Sequence, residues 1–410
     1  MFSLFSKTKL FAASQPPDPD PVLGKWNPGN YISSSTNATD SIWGAFKTRL
    51  AARPQWKGVL LRYDWTQLER NQGEYEWTEA GVPKGFLDID KRINELQTPV
   101  GSRKLMILVT MKTGGGVNDR AVPAYMRVPA YGDKYGNGDY FYSSNNAGLG
   151  GYIPLLYLTP VRQRFEALMN AIAAKYNNSA IGEHFEAVVT NELSITKPAS
   201  LGGAIWPEET SWFNAFKTAM TNVKPNFSRT NIACWTNSPR NQMATLIPAL
   251  QNLGIGTGIT DMVFRDKSLW YNPTDTPSTG PGAIWHCQQG AGRVPIVCHV
   301  SNPALDGSVG NRNQILENAT GYNAYMAEIN TTVFPGFDRT KLNSGGGTPY
   351  QPKQYIRDKS VNYVGATHLC WVHSPIQDQD GLGTKAARVD AWIGDPASTI
   401  TTITTRPPGW

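Results

Sequence analysis

Charge is scarce in this chain. Only 17% of its 410 residues are Asp, Glu, Lys or Arg, against roughly a quarter in typical soluble domains. The formal net charge is +6, and no block of like charges stands out. Nucleic-acid binding would need a basic stripe or cluster, so no nucleic-acid partner is expected. Long apolar runs are missing too. None approaches the ~18 residues of a membrane-spanning helix, so no membrane span is expected. The N-terminal stretch MFSLFSKTKLFAASQ is interrupted by Lys7 and Lys9, which leaves no continuous h-region for a cleavable signal. It reads as an uncleaved arm.

Cysteine is sparse, with Cys234, Cys287, Cys298 and Cys370 in the whole chain. Three lie in apolar, strand-like runs (NIACW, VPIVCHV, THLCWV), which is the setting of buried, inert thiols. His286-Cys287 and Cys298-His299 form two mirrored pairs, but adjacent strand residues point to opposite faces. Zinc-type spacing is absent, so no metal site is expected. There is no P-loop, no H-E-x-x-H and no G-x-S-x-G, and the Gly-rich stretches GTGIT and TGGGV lack the G-x-G-x-x-G spacing. No cofactor is expected.

Glycine and proline are plentiful, at 39 and 29 residues. Together they form about 17% of the chain against a usual ~12%, which implies long loops. Between these loops, short β-rich runs alternate with amphipathic helical runs. Strands are expected at Lys57–Trp65, Lys104–Lys112, His184–Glu192, Asn231–Asn237, Ile259–Arg265, Val294–Val300 and Ala366–His373, with Lys25–Ile32 as an eighth. Helices are expected at Pro160–Tyr176, Ser211–Val223 and Ala319–Ile329. Near-continuous apolar strands separated by helices imply a parallel sheet covered on both faces. Eight such units predict an α/β fold, a single (β/α)8 TIM barrel, with a doubly wound open sheet as its competitor. The expected organisation is an N-terminal arm at 1–23, a barrel at 24–395 and a C-terminal tail at 396–410.

The stretch from Gly58 to Met126 carries a resemblance. It reads GVLLRYDWTQLERNQGEYEW, then FLDIDKRINEL, KLMILVTMK and VPAYM. Arg62, Trp65, Leu68, Glu69, Gly73, Tyr75 and Trp77, with the turn Pro123-Ala124-Tyr125-Met126, resemble the pattern after the second barrel strand in clan A glycoside hydrolases. The resemblance is especially to the family 42 β-galactosidase type. Arg70 stands where that family usually has proline. The resemblance covers about seventy residues and implies a (β/α)8 barrel acting on a polysaccharide or surface glycan.

It also implies site residues. Clan A places its acid/base Glu after an Asn at the end of the fourth strand, which Asn191-Glu192 match. A carboxylic acid there protonates a glycosidic oxygen if partial burial raises its pKa. The clan's nucleophile, a Glu ending the seventh strand, has no counterpart: VPIVCHVS offers only His299. Asp266, expected at the end of the sixth strand, is the candidate base for an inverting mechanism, with Asp306 and Glu328 as further carboxylates. Substrate-binding roles are expected for Arg62, Asn191, Trp235, His299, Trp371 and His373. Indole faces stack on sugar C–H surfaces, and clan A barrels often carry a Trp at the end of the eighth strand, which Trp371 matches.

The empty nucleophile position supports a rival, a catalytically inactive carbohydrate-binding or structural barrel. Extended arms at both ends suit self-assembly or contact with virion subunits. A low-charge chain rich in Gly, Pro, Asn and Thr would fit a phage tail or capsid-attached component. A virion-borne or extracellular place of action is expected for either reading.

Overall fold

The computed structural model describes residues 24–34, 39–97, 103–114, 116, 118–143, 150–190, 193, 195–237, 239–260, 282–300 and 364–372. Both expected arms, the expected helix Ala319–Ile329, and Asn191, Glu192, Asp266, Asp306, Glu328 and His373 lie outside the described residues.

Eight parallel strands form one sheet. They are β1 (Gly29–Ser33), β2 (Trp56–Asp64), β3 (Lys104–Thr110), β4 (Phe185–Thr190), β5 (Asn231–Trp235), β6 (Gly256–Gly258), β7 (Val297–Val300) and β8 (His368–Val372). The order is β6-β5-β4-β3-β2-β1-β8-β7. Each strand therefore lies beside its predecessor and successor in the chain, and β1 pairs with both β2 and β8. The remaining gap, between β6 and β7, is bridged. Thr257 pairs with Ile296, Thr257 N donates to the Pro295 carbonyl (3.0 Å), and His299 N donates to the Ile259 carbonyl (2.8 Å). The sheet thus closes into a (β/α)8 barrel, and the doubly wound alternative falls because its strand order reverses at a switch point.

The helices follow from their apolar stripes. In α2 (Phe86–Gln97), Phe86, Ile89, Ile93 and Leu96 recur at helical spacing and are all buried. The flanking helices α1 (Asp40–Ala52), α3 (Thr159–Tyr176), α4 (Glu209–Val223), α5 (Arg240–Asn252) and the short α6 (Ala283–Gln288) complete the described outer ring. The core has two layers. Tyr31, Leu60, Leu108, Val189, Ala233 and Val297 belong to the cluster inside the barrel. The alternate residues of the same strands, such as Ile32, Leu61 and Val188, pack in the larger cluster with the helices.

The sixth strand is Gly256–Gly258, which begins before the expected Ile259–Arg265 and overlaps the Gly-rich stretch GTGIT; residues 261–265 lie outside the described residues. Close approach selects these glycines: a Cβ at Gly258 would sit 1.6 Å from the Val297 carbonyl oxygen, and one at Gly256 would sit 2.7 Å from that of Pro295. The seam leaves no room for the β-branched residues that usually mark a strand.

All four cysteines are buried and free. Burial pushes the thiol of Cys234 up to about 12 and that of Cys287 up to about 11, which makes them poor nucleophiles. Cys287 lies on α6, not on a strand. Among the described residues, no three His, Cys, Asp or Glu side chains are placed to hold a metal ion. No described helix is long and apolar enough to cross a membrane.

The amino end of the barrel is sealed by polar side chains. The Glu186 carboxylate is buried and accepts from Asn27 N (3.0 Å), Asn27 Nδ2 (2.6 Å), Asn231 Nδ2 (3.2 Å) and His368 Nε2 (3.3 Å). Beside it, Lys25 Nζ donates to the Tyr176 carbonyl (2.7 Å) and to Thr230 Oγ1 (2.8 Å). Burial lowers the ammonium of Lys25 to about 8. Burial alone would raise the Glu186 pKa, but hydrogen bonds from His368 and Asn27 outweigh it and hold the carboxyl below its ordinary 4.5. A depressed carboxyl contributes stability that is complete above the unfolded-state value and is lost as pH falls through the folded value. Glu186→Gln is therefore expected to cost about 3 kcal/mol near pH 7, with the gap from the parent closing below about pH 4.5. Urea titrations at stepped pH test this, and a gap that widens in acid would refute it.

Candidate active site at the carboxyl end of the barrel

Barrel active sites lie beyond the carboxyl ends of the strands. Here the segment after β2 is organised by the residues of the sequence motif. The helical turn Trp65–Leu68 follows β2 directly. Glu69 comes next and is fully buried. Its carboxylate accepts from Trp65 Nε1 (2.9 Å) and from the Gly73 amide (2.9 Å), and it pairs with the Arg164 guanidinium from α3. Arg164 Nε also donates to the Tyr125 hydroxyl (2.9 Å), and its Nη2 donates to the Tyr75 hydroxyl (3.3 Å). Gly73 turns with φ +78°, which favours glycine. Trp65 and Glu69, both buried, with the half-buried Tyr75 and Tyr125 and the exposed Gly73, thus form one knot that ties the β2 loop to α3. Glu69 has the residue type of a catalytic acid, but the knot occupies its carboxylate.

The described floor of the mouth is formed where β1, β5, β6 and β7 end. His299 follows Val297 on the inward-facing row of β7 and is 6% exposed. Its Nδ1 lies 2.8 Å from the Thr260 carbonyl oxygen, and its Nε2 lies 2.9 Å from Ser33 Oγ. The carbonyl only accepts, so Nδ1 carries the proton and a neutral imidazole takes the Ser33 proton at Nε2. Trp235 stacks on the imidazole, with ring centroids 4.8 Å apart and an interplanar angle of 28°. Its indole N–H donates to the Val297 carbonyl (3.1 Å). One face of Trp235 is therefore taken by His299, and the residue is 1% exposed. It is part of the floor and not an open stacking platform.

Arg62 is two residues on from Leu60 of the inner cluster, and its Nε donates to Thr110 Oγ1 at the end of β3 (3.0 Å). It also lines a groove of about 550 Å³ with Gln67, Arg70, Trp77, Lys84 and Asp88. The structure therefore brings His299 and Trp235 together and sets Arg62 on the mouth side of β2.

Trp371 is not part of this group. Cys370 belongs to the inner cluster and Trp371 to the outer one. Its indole N–H donates to Asn30 Oδ1 (2.9 Å) and the side chain is buried. The alternation of the strand turns it toward the helices, so its expected contact with substrate is replaced by a packing role. His368, one turn of the pleat away, faces the opposite end of the barrel beside Glu186. Trp206 is buried against Tyr140.

β4 ends at Thr190, so Asn191 and Glu192 are the next two residues of the chain. β6 ends at Gly258, well before Asp266. Ser33 and Thr260 were missed by sequence reasoning. Their only sequence signal is position: each ends or closely follows a barrel strand.

No family model matches this chain, and no curated protein matches it. Among solved structures it is similar to endo-glycoceramidase II from Rhodococcus sp., with 13% identity over 91% of this chain and 78% of that chain, at a TM-score of 0.44. It is similar to the catalytic domain of β-amylase from Paenibacillus polymyxa, with 13% identity over 91% and 99%, at a TM-score of 0.44. It is also similar to β-galactosidase from the psychrophilic Marinomonas ef1, with 10% identity over 89% and 59%, at a TM-score of 0.49.

Proposed function

We propose that this barrel is a glycoside hydrolase acting on a polysaccharide or surface glycan, with Glu192 as general acid/base. The observation that supports it is the position of Asn191-Glu192 directly beyond the carboxyl end of β4, where the clan A resemblance requires the pair. Glu192 protonates the leaving oxygen, Asn191 and Arg62 bind sugar hydroxyls, and Asp266 is the second carboxylate. Separations of about 6.5–9.5 Å between the two carboxyls go with inversion, and about 5–5.5 Å with retention. Trp371 is left out of the binding set because its ring is buried.

The second reading is an inactive carbohydrate-binding or structural barrel, in which the terminal arms join it to virion subunits. It is favoured by His299 standing at the end of β7, where a retaining enzyme of the clan carries its nucleophile. The imidazole there is held by Ser33 and Thr260, and histidine does not readily act as a glycosyl acceptor.

One experiment separates them. Wild type and Glu192→Gln are incubated with a panel of bacterial polysaccharides, and released reducing ends and retained binding are both measured. General acid/base catalysis contributes about 100- to 10,000-fold, so the variant should lose at least about 100-fold in release while still binding. Binding without release by the wild type would establish the second reading.

A further inference from the structure

Three strands that are remote in sequence bring together a hydroxyl, an imidazole and a carbonyl. Ser33 is the last residue of β1, His299 lies on β7, and Thr260 follows β6. The contacts are 2.9 Å from Ser33 Oγ to His299 Nε2 and 2.8 Å from His299 Nδ1 to the Thr260 carbonyl oxygen. A nucleophile within hydrogen-bond reach of a base, with the base oriented by a third group, is the geometric signature of an activated serine. The tautomer is the one required. The carbonyl holds the proton on Nδ1, so the Nε2 lone pair points at the serine hydroxyl. The indole of Trp235 stacks on the imidazole and fixes its plane. The fold does not consume every donor nearby: Thr260 Oγ1 is buried without a hydrogen-bond partner.

We propose that Ser33 and His299 form a nucleophile–base dyad that hydrolyses small, uncharged carboxylic esters at the mouth of the barrel. Ser33 Oγ attacks the ester carbonyl carbon while its proton passes to His299 Nε2. The tetrahedral adduct expels the alcohol, which takes that proton and leaves an acyl ester on Ser33. Water then attacks the acyl carbon, giving its proton to Nε2, and collapse returns the proton to Ser33 as the acid departs. The net reaction is ester plus water to acid plus alcohol. Trp235 and Val297, both of the inner apolar cluster, make the described floor beside the dyad apolar, which suits a short acyl group. Ser33 has no exposed surface and His299 is 6% exposed, so the ester must be small. The dyad is independent of the glycosidase reading, since Glu192 takes no part in it.

The test uses the full chain, a small fluorophosphonate and 4-nitrophenyl acetate. Peptide mapping should find the phosphonyl adduct on Ser33 of the folded wild type. His299→Gln should slow both labelling and acetate release by at least about 100-fold, the lower end of general-base contributions, and Ser33→Ala should abolish both. The mapping needs no variant, so it decides the matter even if Ser33→Ala fails to fold. Absence of an adduct on Ser33, or labelling at an unchanged rate in His299→Gln, overturns the proposal. Loss of polysaccharide cleavage in Glu192→Gln leaves it untouched.

Discussion

Glu69→Ala is expected to destabilise the barrel by about 3–5 kcal/mol, the usual cost of removing one partner from a buried ion pair. The carboxylate is fully buried, and Arg164, its partner on α3, has a side chain only 14% exposed. Alanine would leave that guanidinium with the Tyr125 and Tyr75 hydroxyls alone. It would also strip the Trp65 indole N–H and the Gly73 amide of the acceptor they share. Buried donors without partners cost more than the net worth of the bonds they lose. Urea unfolding should show a lower midpoint at an unchanged slope. The double variant Glu69→Ala with Arg164→Met should cost clearly less than the two single changes added, because the second change removes the stranded charge. A midpoint shift worth under 1 kcal/mol, or simple additivity, would mean that the knot does not hold the loop.

The knot explains what the motif after β2 is for. Trp65, Glu69, Gly73 and Tyr75 follow one another closely in the sequence, so a local pattern reveals them. Arg164, which completes the knot, lies 95 positions from Glu69 and no local pattern marks it. The same limit governs the mouth. Six of the eight strands were legible because near-continuous apolar runs mark walls buried on both faces, and the first, GNYIS, was legible only as the unit that completes a set of eight. The start of the sixth was missed because the closing seam demands glycine at Gly256 and Gly258, which reads as a loop. The facing of Trp371 was illegible for a related reason: a strand buried on both sides, such as HLCWV, offers no polar alternation to set its phase. Trp235 and His299 were nominated as mouth residues, and they do meet. Their meeting with Ser33, 266 positions from His299, needed the closed ring.

Gly258→Val is expected to open that ring. A Cβ at this position would lie 1.6 Å from the Val297 carbonyl oxygen and 2.5 Å from the Val297 carbonyl carbon. Neither neighbour is a flexible side-chain end, so the backbones of β6 and β7 must separate. Separation would break the Thr257–Ile296 bridge and the bonds from Thr257 N and His299 N that cross the seam. Overpacking in a core costs about 1–3 kcal/mol where side chains can yield, and more where they cannot. A loss of about 3 kcal/mol or more is therefore expected, read from urea midpoints, with a collapsed near-ultraviolet dichroism signal if the ring fails to close. Gly44→Ala is the matched control. Gly44 lies on α1 with nothing within 4 Å of the added carbon, and alanine in a helix is worth about 0.5–1 kcal/mol over glycine. A Gly258→Val protein as stable as its parent would show that the seam yields. The carbonyl of Thr260 would then be free to move relative to the His299 imidazole, so the geometry at the mouth depends on the same two glycines that obscured the sixth strand.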